Sequence, residues 1–188
     1  MLVLRPADSK ATIRCWKLAM ENTESPSALI LSRQTIEDLP EGTNYEGINR
    51  GAYIIEAEDN SPSLLKRTGE GPDIIFVGNG SEVSTLIAGA RLLRKDGYKV
   101  RVVSAPSEGL FREQPLSYQR ELFPIGSKVF GLTAGLPINL QGFLVGAHPD
   151  SFVWGLDSFG YSAPYKVLDE KFGFTAENVY EQAKKILS

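Results

Sequence analysis

Asp73-Ile74-Ile75-Phe76-Val77-Gly78-Asn79-Gly80-Ser81-Glu82-Val83 decides the fold class. Five residues that end in an unbroken apolar run, closed by a Gly-Asn-Gly turn, have the character of a strand buried on both faces. Ser81 is placed to cap a helix. The helix presents Val83, Leu86, Ile87, Ala90 and Leu93 as a single apolar stripe, and Gly97 stands where a left-handed residue would stop it. Val100 to Val103 then reads as the next buried strand. Strand, helix and strand in this order imply a parallel pair joined by a crossover.

Moving toward the C-terminus, Pro115 suits the first turn of another helix and Lys128 to Leu132 supplies a further strand. Thr175 is a plausible N-cap for a closing helix with Val179, Ala183 and Ile186 on its buried side. Lys184 and Lys185 lie in its last turn, where they complement the helix dipole. The expected architecture is α/β, a mostly parallel sheet with helices on both faces.

Toward the N-terminus, Leu2-Val3-Leu4 is a short apolar run followed by Arg5-Pro6, and Asp8 is a candidate N-cap. The next helix carries two apolar rows, Ile13, Trp16 and Met20 on one side and Ala11, Cys15 and Leu18 on the other. Two rows predict a helix covered on two faces. Ala28-Leu29-Ile30-Leu31 reads as a second buried strand. A parallel pair with one helix cannot cover both faces of its own sheet, so the first 45 or so residues read as part of a larger unit. Glu37 to Arg50 is polar, with Pro40, Gly42 and Gly47, and reads as a linker before the strand-like Gly51 to Glu56. The expected boundary lies near residue 45.

Composition excludes several function classes. A length of 188 residues at 42% hydrophobic and 23% charged describes a folded globular chain, and a formal charge of −3 with scattered basic residues gives no footprint for nucleic acid or an anionic membrane. No apolar run reaches the roughly 20 residues that span a bilayer, and the N-terminus has no signal pattern, so the expectation is a cytoplasmic protein. A single cysteine, Cys15, and a single histidine, His148, leave little for metal ligation or a disulfide.

Three constellations invite chemistry. Gly78-Asn79-Gly80 sits where a dinucleotide fingerprint would begin, but its third small position is Val83 and the next strand ends at Ser104 without an acidic ribose partner, which favours a plain βα turn. Cys15 and His148 are the ingredients of a thiolate pair, yet Cys15 lies in an apolar row, which favours packing, and His148 lies between Gly-Ala and Pro-Asp, a context that reads as a loop. Arg33 stands just beyond the carboxyl end of a strand, where open parallel sheets bind ligands, and a guanidinium suits phosphate. From position alone a surface or interdomain ion pair is the simpler reading of Arg33.

Four separated segments resemble transketolase: Arg5-Pro6-Ala7-Asp8 leading to Trp16-Lys17; Ala28-Leu29-Ile30-Leu31-Ser32-Arg33-Gln34; Gly80-Ser81-Glu82-Val83; and Phe159-Gly160 with Ser162-Ala163-Pro164, running on to Phe172-Gly173-Phe174-Thr175. They occur in the family's order and span essentially the whole chain. The resemblance implies that residues 1–45 correspond to the tail of the pyrimidine-binding domain and residues 46–188 to the transketolase C-terminal domain. It assigns Arg33 to the arginine that binds the substrate phosphate. It implies a parent enzyme that moves a two-carbon ketol unit between ketose and aldose phosphates, works as a homodimer, and uses thiamine diphosphate with a divalent metal, Mg or Ca, held by domains that precede this region. No catalytic, cofactor or metal residue is therefore expected in this chain, which would be inactive without the remaining transketolase domains. A related thiamine diphosphate enzyme and a non-catalytic assembly or ligand-binding module are the alternatives. Ala105, Thr133 and Tyr161 depart from the family pattern, which usually has methionine at the first position, commonly glutamate at the second, and a smaller residue at the third.

Overall fold

The computed structural model describes residues 1–55 and 71–188. A β-α-β unit comes first: β1 (Leu2–Leu4), α1 (Ser9–Glu21) and β2 (Ser27–Leu29), with β1 and β2 paired in parallel as a two-stranded sheet. A 3-10 helix at Tyr45–Arg50 leads to β3 (Tyr53–Ile54). Then follow β4 (Ile74–Gly78), α2 (Glu82–Lys95), β5 (Val100–Ser104), α3 (Glu108–Arg112), α4 (Leu116–Leu122) and β6 (Val129–Leu132). The remaining elements are α5 (Ile138–Gln141), a 3-10 helix at Gly142–Leu144, β7 (Phe152–Trp154), α6 (Tyr165–Phe172) and α7 (Ala176–Leu187).

The second sheet runs in the order β3-β5-β4-β6-β7, parallel throughout except for β3, which pairs antiparallel with β5 at the edge. Every residue of β4 is buried, and its side chains alternate between two cores: Ile74 and Phe76 join one, Ile75 and Val77 the other. That alternation is what a central parallel strand requires when helices cover both faces. On the first face the stripe Val83, Leu86, Ile87, Ala90 and Leu93 meets Val179, Ala183 and Ile186 of α7. On the second, Phe111, Leu122, Leu140 and Phe143 close over Ile75, Val77 and Val129. Phe111 and Phe143 pack with ring centroids 4.8 Å apart. Gly97, at φ +89°, ends α2 in the left-handed region, as its position in the sequence predicts. Thr175 caps α7 by accepting the Asn178 N–H.

Four expectations need correction. Only one row of α1 is covered: Ala11 and Cys15 are buried, whereas Ile13, Trp16 and Met20 are 70%, 54% and 78% exposed, because among the described residues nothing packs on the outer side of this helix. The second strand is shorter than Ala28 to Leu31 and leaves Ile30 and Leu31 exposed beyond its pairing with β1. The Glu37 to Arg50 segment is not a bare linker: Ile48 is fully buried in the core that also holds Leu4, Ala11 and Cys15, and the 3-10 helix gains an Asn44 cap on Glu46 N–H. Ser81 does not cap α2 with its side chain. It adopts helical backbone angles and donates its hydroxyl to Glu82 Oε1 at 2.7 Å instead. Of the strand-like stretch Gly51 to Glu56, Tyr53 and Ile54 form β3, and Glu56 lies outside the described residues.

The α2/α7 contact makes a sharp test of packing. A Cβ built on Gly89 would lie 2.4 Å from Val179 Cγ1 and 3.3 Å from the Ala176 carbonyl oxygen. Alanine would gain about 1 kcal/mol in helix propensity, but forcing a methyl into this contact costs about 1–3 kcal/mol. Gly89→Ala is therefore expected to lower Tm in a thermal melt, and adding Val179→Ala to it should recover part of the loss by making room for that methyl.

Candidate functional site

The carboxyl ends of β4, β5 and β6 form one rim, and residues from the N-terminal unit are seated on it. β1 delivers Arg5 to this rim, since the strand ends at Leu4 and Pro6 cannot continue its pairing. The Arg5 guanidinium donates from Nη1 to Asn79 Oδ1 at 2.8 Å and to Thr133 Oγ1 at 3.0 Å, and from Nη2 to Glu82 Oε2 at 3.1 Å. Glu82 is buried in the first turn of α2. It accepts from the Ser81 hydroxyl with Oε1 and from Arg5 with Oε2.

Gly78-Asn79-Gly80 is explained by this arrangement. A Cβ on Gly78 would strike Leu86 Cδ1 at 2.6 Å, and Gly80 takes φ +62° to turn the chain into α2. The Gly80 N–H donates to the Arg5 carbonyl at 3.1 Å, and Asn79 Oδ1 accepts from its guanidinium. An amide that would have to face a pyrophosphate is thus engaged by the protein's own backbone, in keeping with a βα turn.

Asp8, the expected cap of α1, is buried and does more than cap. Oδ1 accepts the Ala11 N–H at 2.7 Å, and Oδ2 accepts both the Leu39 N–H at 3.0 Å and the Tyr45 hydroxyl. Burial, and next the hydrogen bond to Asp8, push the Tyr45 phenol well above its ordinary pKa, so it remains a donor. One carboxylate thereby ties the start of α1 to the segment that leads out of the N-terminal unit.

The sequence-predicted candidates fall in separate places. Cys15 is fully buried in the apolar core, and desolvation pushes its thiol up to about 12. His148 is half-exposed in the turn after α5, with its N–H donating to the Ser127 carbonyl and Nδ1 accepting the Asp150 N–H at 3.3 Å. No described contact joins these two side chains. Arg33 is exposed in the loop after β2, and among the described residues it has no ion-pair or hydrogen-bond partner. It shares with Arg5 the carboxyl end of the two-stranded sheet, where the Ile30 N–H donates to the Leu4 carbonyl at 2.9 Å. An open groove of about 1220 Å³, lined by Leu2, Arg5, Leu18, Asn79, Glu108 and Asn139 among others, runs between the N-terminal unit and the segments that follow β5 and β6. Among the described residues no group of three or more His, Cys, Asp or Glu could hold a metal ion. Arg5 is the residue that sequence reading misses as a site: its motif is visible, but its partners are remote in the chain.

A family model for the transketolase-like TK C-terminal domain matches residues 51–175. A chloroplastic transketolase of Craterostigma plantagineum is 39% identical over 100% of this chain and 34% of its own length. The structure of transketolase from Leishmania mexicana superposes with a TM-score of 0.81 at 32% identity, covering 98% of this chain and 25% of that one. A structure described as a split gene transketolase, inactive beta4 tetramer, shares the fold, with a TM-score of 0.70 at 21% identity over 98% of this chain and 57% of that one. The chain thus spans about a third or less of the length of these two transketolases, from Craterostigma plantagineum and Leishmania mexicana.

The state of Cys15 is directly measurable. A buried neutral thiol should resist iodoacetamide in the native chain at pH 8 and react once urea unfolds it. A thiol whose pKa is raised by folding contributes stability in full below its ordinary value of 9.0 and loses that contribution as pH climbs toward about 12. Tyr45 and Tyr53 shift in the same direction. Stability followed by denaturant titration should hold steady from pH 7 to 9 and fall above it, and a plateau through pH 11 would contradict the burial of these groups.

Proposed function

This chain belongs to the transketolase C-terminal domain family, and on that premise we propose that it is the C-terminal portion of an enzyme that transfers a two-carbon ketol unit between ketose and aldose phosphates. The observation that carries the reading is Arg33, an exposed guanidinium with no described partner at the carboxyl end of a parallel strand. A planar cation so placed is suited to grip a phosphate in two-pronged fashion. Holding the far end of a sugar phosphate fixes where its reacting carbon lies and lowers the entropic part of the barrier.

Thiamine diphosphate and a divalent metal, Mg or Ca, supply the carbanion chemistry in the whole enzyme. The described residues of this chain do not fit either group: they offer no metal-ligand cluster, and the one glycine turn at a helix start is closed by Arg5. No chemical step is routed through this chain beyond binding and orientation. The partners in this reading are the remaining transketolase domains, on the same chain or a separate one, in a homodimer that acts in the cytoplasm. Residues 1–45 supply the tail of the pyrimidine-binding domain and residues 46–188 the C-terminal domain. The exposed row Ile13, Trp16 and Met20 and the bare two-stranded parallel sheet are surfaces that further α/β elements of that pyrimidine-binding domain would cover.

The chain alone should show no ketol transfer with added thiamine diphosphate and magnesium. In enzyme assembled with the remaining domains, Arg33→Ala should raise KM for a ketose phosphate about 10- to 100-fold, the scale of a lost charge-assisted hydrogen bond. KM for a ketose lacking the phosphate should stay unchanged. Equal KM values for wild type and variant on the phosphorylated substrate would remove Arg33 from the site and favour a docking module.

A further inference from the structure

The N-terminal unit and the five-stranded sheet are separate sheets, with no ladder between them among the described residues. Among the described hydrogen bonds, those that join residues 1–34 to residues 71–188 all involve Arg5. Its N–H donates to the Pro106 carbonyl at 2.9 Å, and its carbonyl accepts from Gly80 at 3.1 Å. Its guanidinium reaches Asn79, Thr133 and Glu82. The apolar core shared by Leu4, Ala7, Ala11, Cys15, Ile48 and Val83 supplies adhesion across this junction, but apolar contact is non-directional.

Direction comes from the fork. A guanidinium that bonds three side chains, just past the end of β4, at the start of α2 and just past the end of β6, admits one orientation of the strand carrying it. The pair with Glu82 is largely desolvated, with side-chain exposures of 18% and 5%, and Arg5 Nε is buried without a partner. Such a pair is weak evidence for stability, since well-packed apolar residues often serve as well. Its use here is geometric. The Leu4 carbonyl, one residue before Arg5, accepts the Ile30 N–H, so the same strand end that is clamped to the rim also holds the start of the loop that carries Arg33.

We infer that Arg5 is a positioning residue, a latch that fixes the orientation of the Arg33-bearing unit on the rim of the C-terminal sheet. Its effect on the reaction rests on the phosphate-binding reading of Arg33, whereas the latch itself does not. Lysine at this position keeps a charge near Glu82 but cannot span all three acceptors. Thr133→Val removes one acceptor at nearly constant shape and serves as a second, milder variant.

Hydrogen exchange of the full chain tests the latch. In Arg5→Lys the amides of Leu2, Ile30 and the β1/β2 ladder should exchange about tenfold faster, with those of β4 and α2 unchanged. Thr133→Val should show the same pattern at smaller amplitude. No change in the N-terminal unit, or an equal acceleration in both parts, would overturn the latch. In enzyme assembled with the remaining domains, Arg5→Lys should raise KM for a ketose phosphate severalfold while leaving kcat, and KM for the ketose lacking phosphate, unchanged. An equal loss on both substrates would reduce Arg5 to a structural role. If Arg33→Ala leaves the phosphate preference intact, the phosphate reading fails, and the exchange pattern still decides the latch.

Discussion

A guanidinium drawn out of water must find acceptors, and the placement of the N-terminal unit follows from where Arg5 finds them. Its negative partner is Glu82, at the N-terminus of α2, which also accepts the hydroxyl of Ser81. Its neutral partners, Asn79 and Thr133, sit at the ends of adjacent parallel strands that are buried and therefore rigidly spaced. The ion pair thus inherits its geometry from the sheet. β1 is aimed by its last charged neighbour, and the loop after β2 is aimed through β1.

A second constraint acts on the same unit from outside. Parallel strands are stable when both faces are covered, and the five-stranded sheet meets that condition with α2 and α7 on one side and α3, α4 and α5 on the other. The β1/β2 pair has α1 on one side and the open groove running beside it. Its helix presents Ile13, Trp16 and Met20 outward. A surface of that kind has an interacting element as its natural complement; the chain, a member of the transketolase C-terminal domain family, spans about a third or less of the length of the Craterostigma plantagineum and Leishmania mexicana transketolases it matches.

Much of the fold was legible from local pattern. β4, α2, β5 and α7 declare themselves through unbroken apolar runs, a single helical stripe, and punctuation by Gly97 and Thr175. The α3, α5 and β7 elements, of 5, 4 and 3 residues, are too short to display a period. Periodicity reports that a face is apolar and not what lies against it, which is why the outer row of α1 reads as covered. Ser81 misleads because the adjacent Glu82 competes for its hydroxyl. Arg33 was legible as a strand-end cation, and the structure adds that no described group neutralises it. Arg5 was visible only as part of a motif, because its partners lie 74, 77 and 128 positions away and nothing local reports a contact at that range.

The central claim is that Arg5 and Glu82 interact as a pair across the junction, and a double-mutant cycle measures that interaction. Unfolding by urea of the native chain, Arg5→Met, Glu82→Gln and the double variant isolates the coupling between the two charges from the packing each side chain provides. A desolvated, hydrogen-bonded pair on a rigid frame predicts a coupling of about 1–3 kcal/mol. A coupling indistinguishable from zero would mean that this side-chain pair does not hold the N-terminal unit, and the account of how Arg33 is aimed would be wrong.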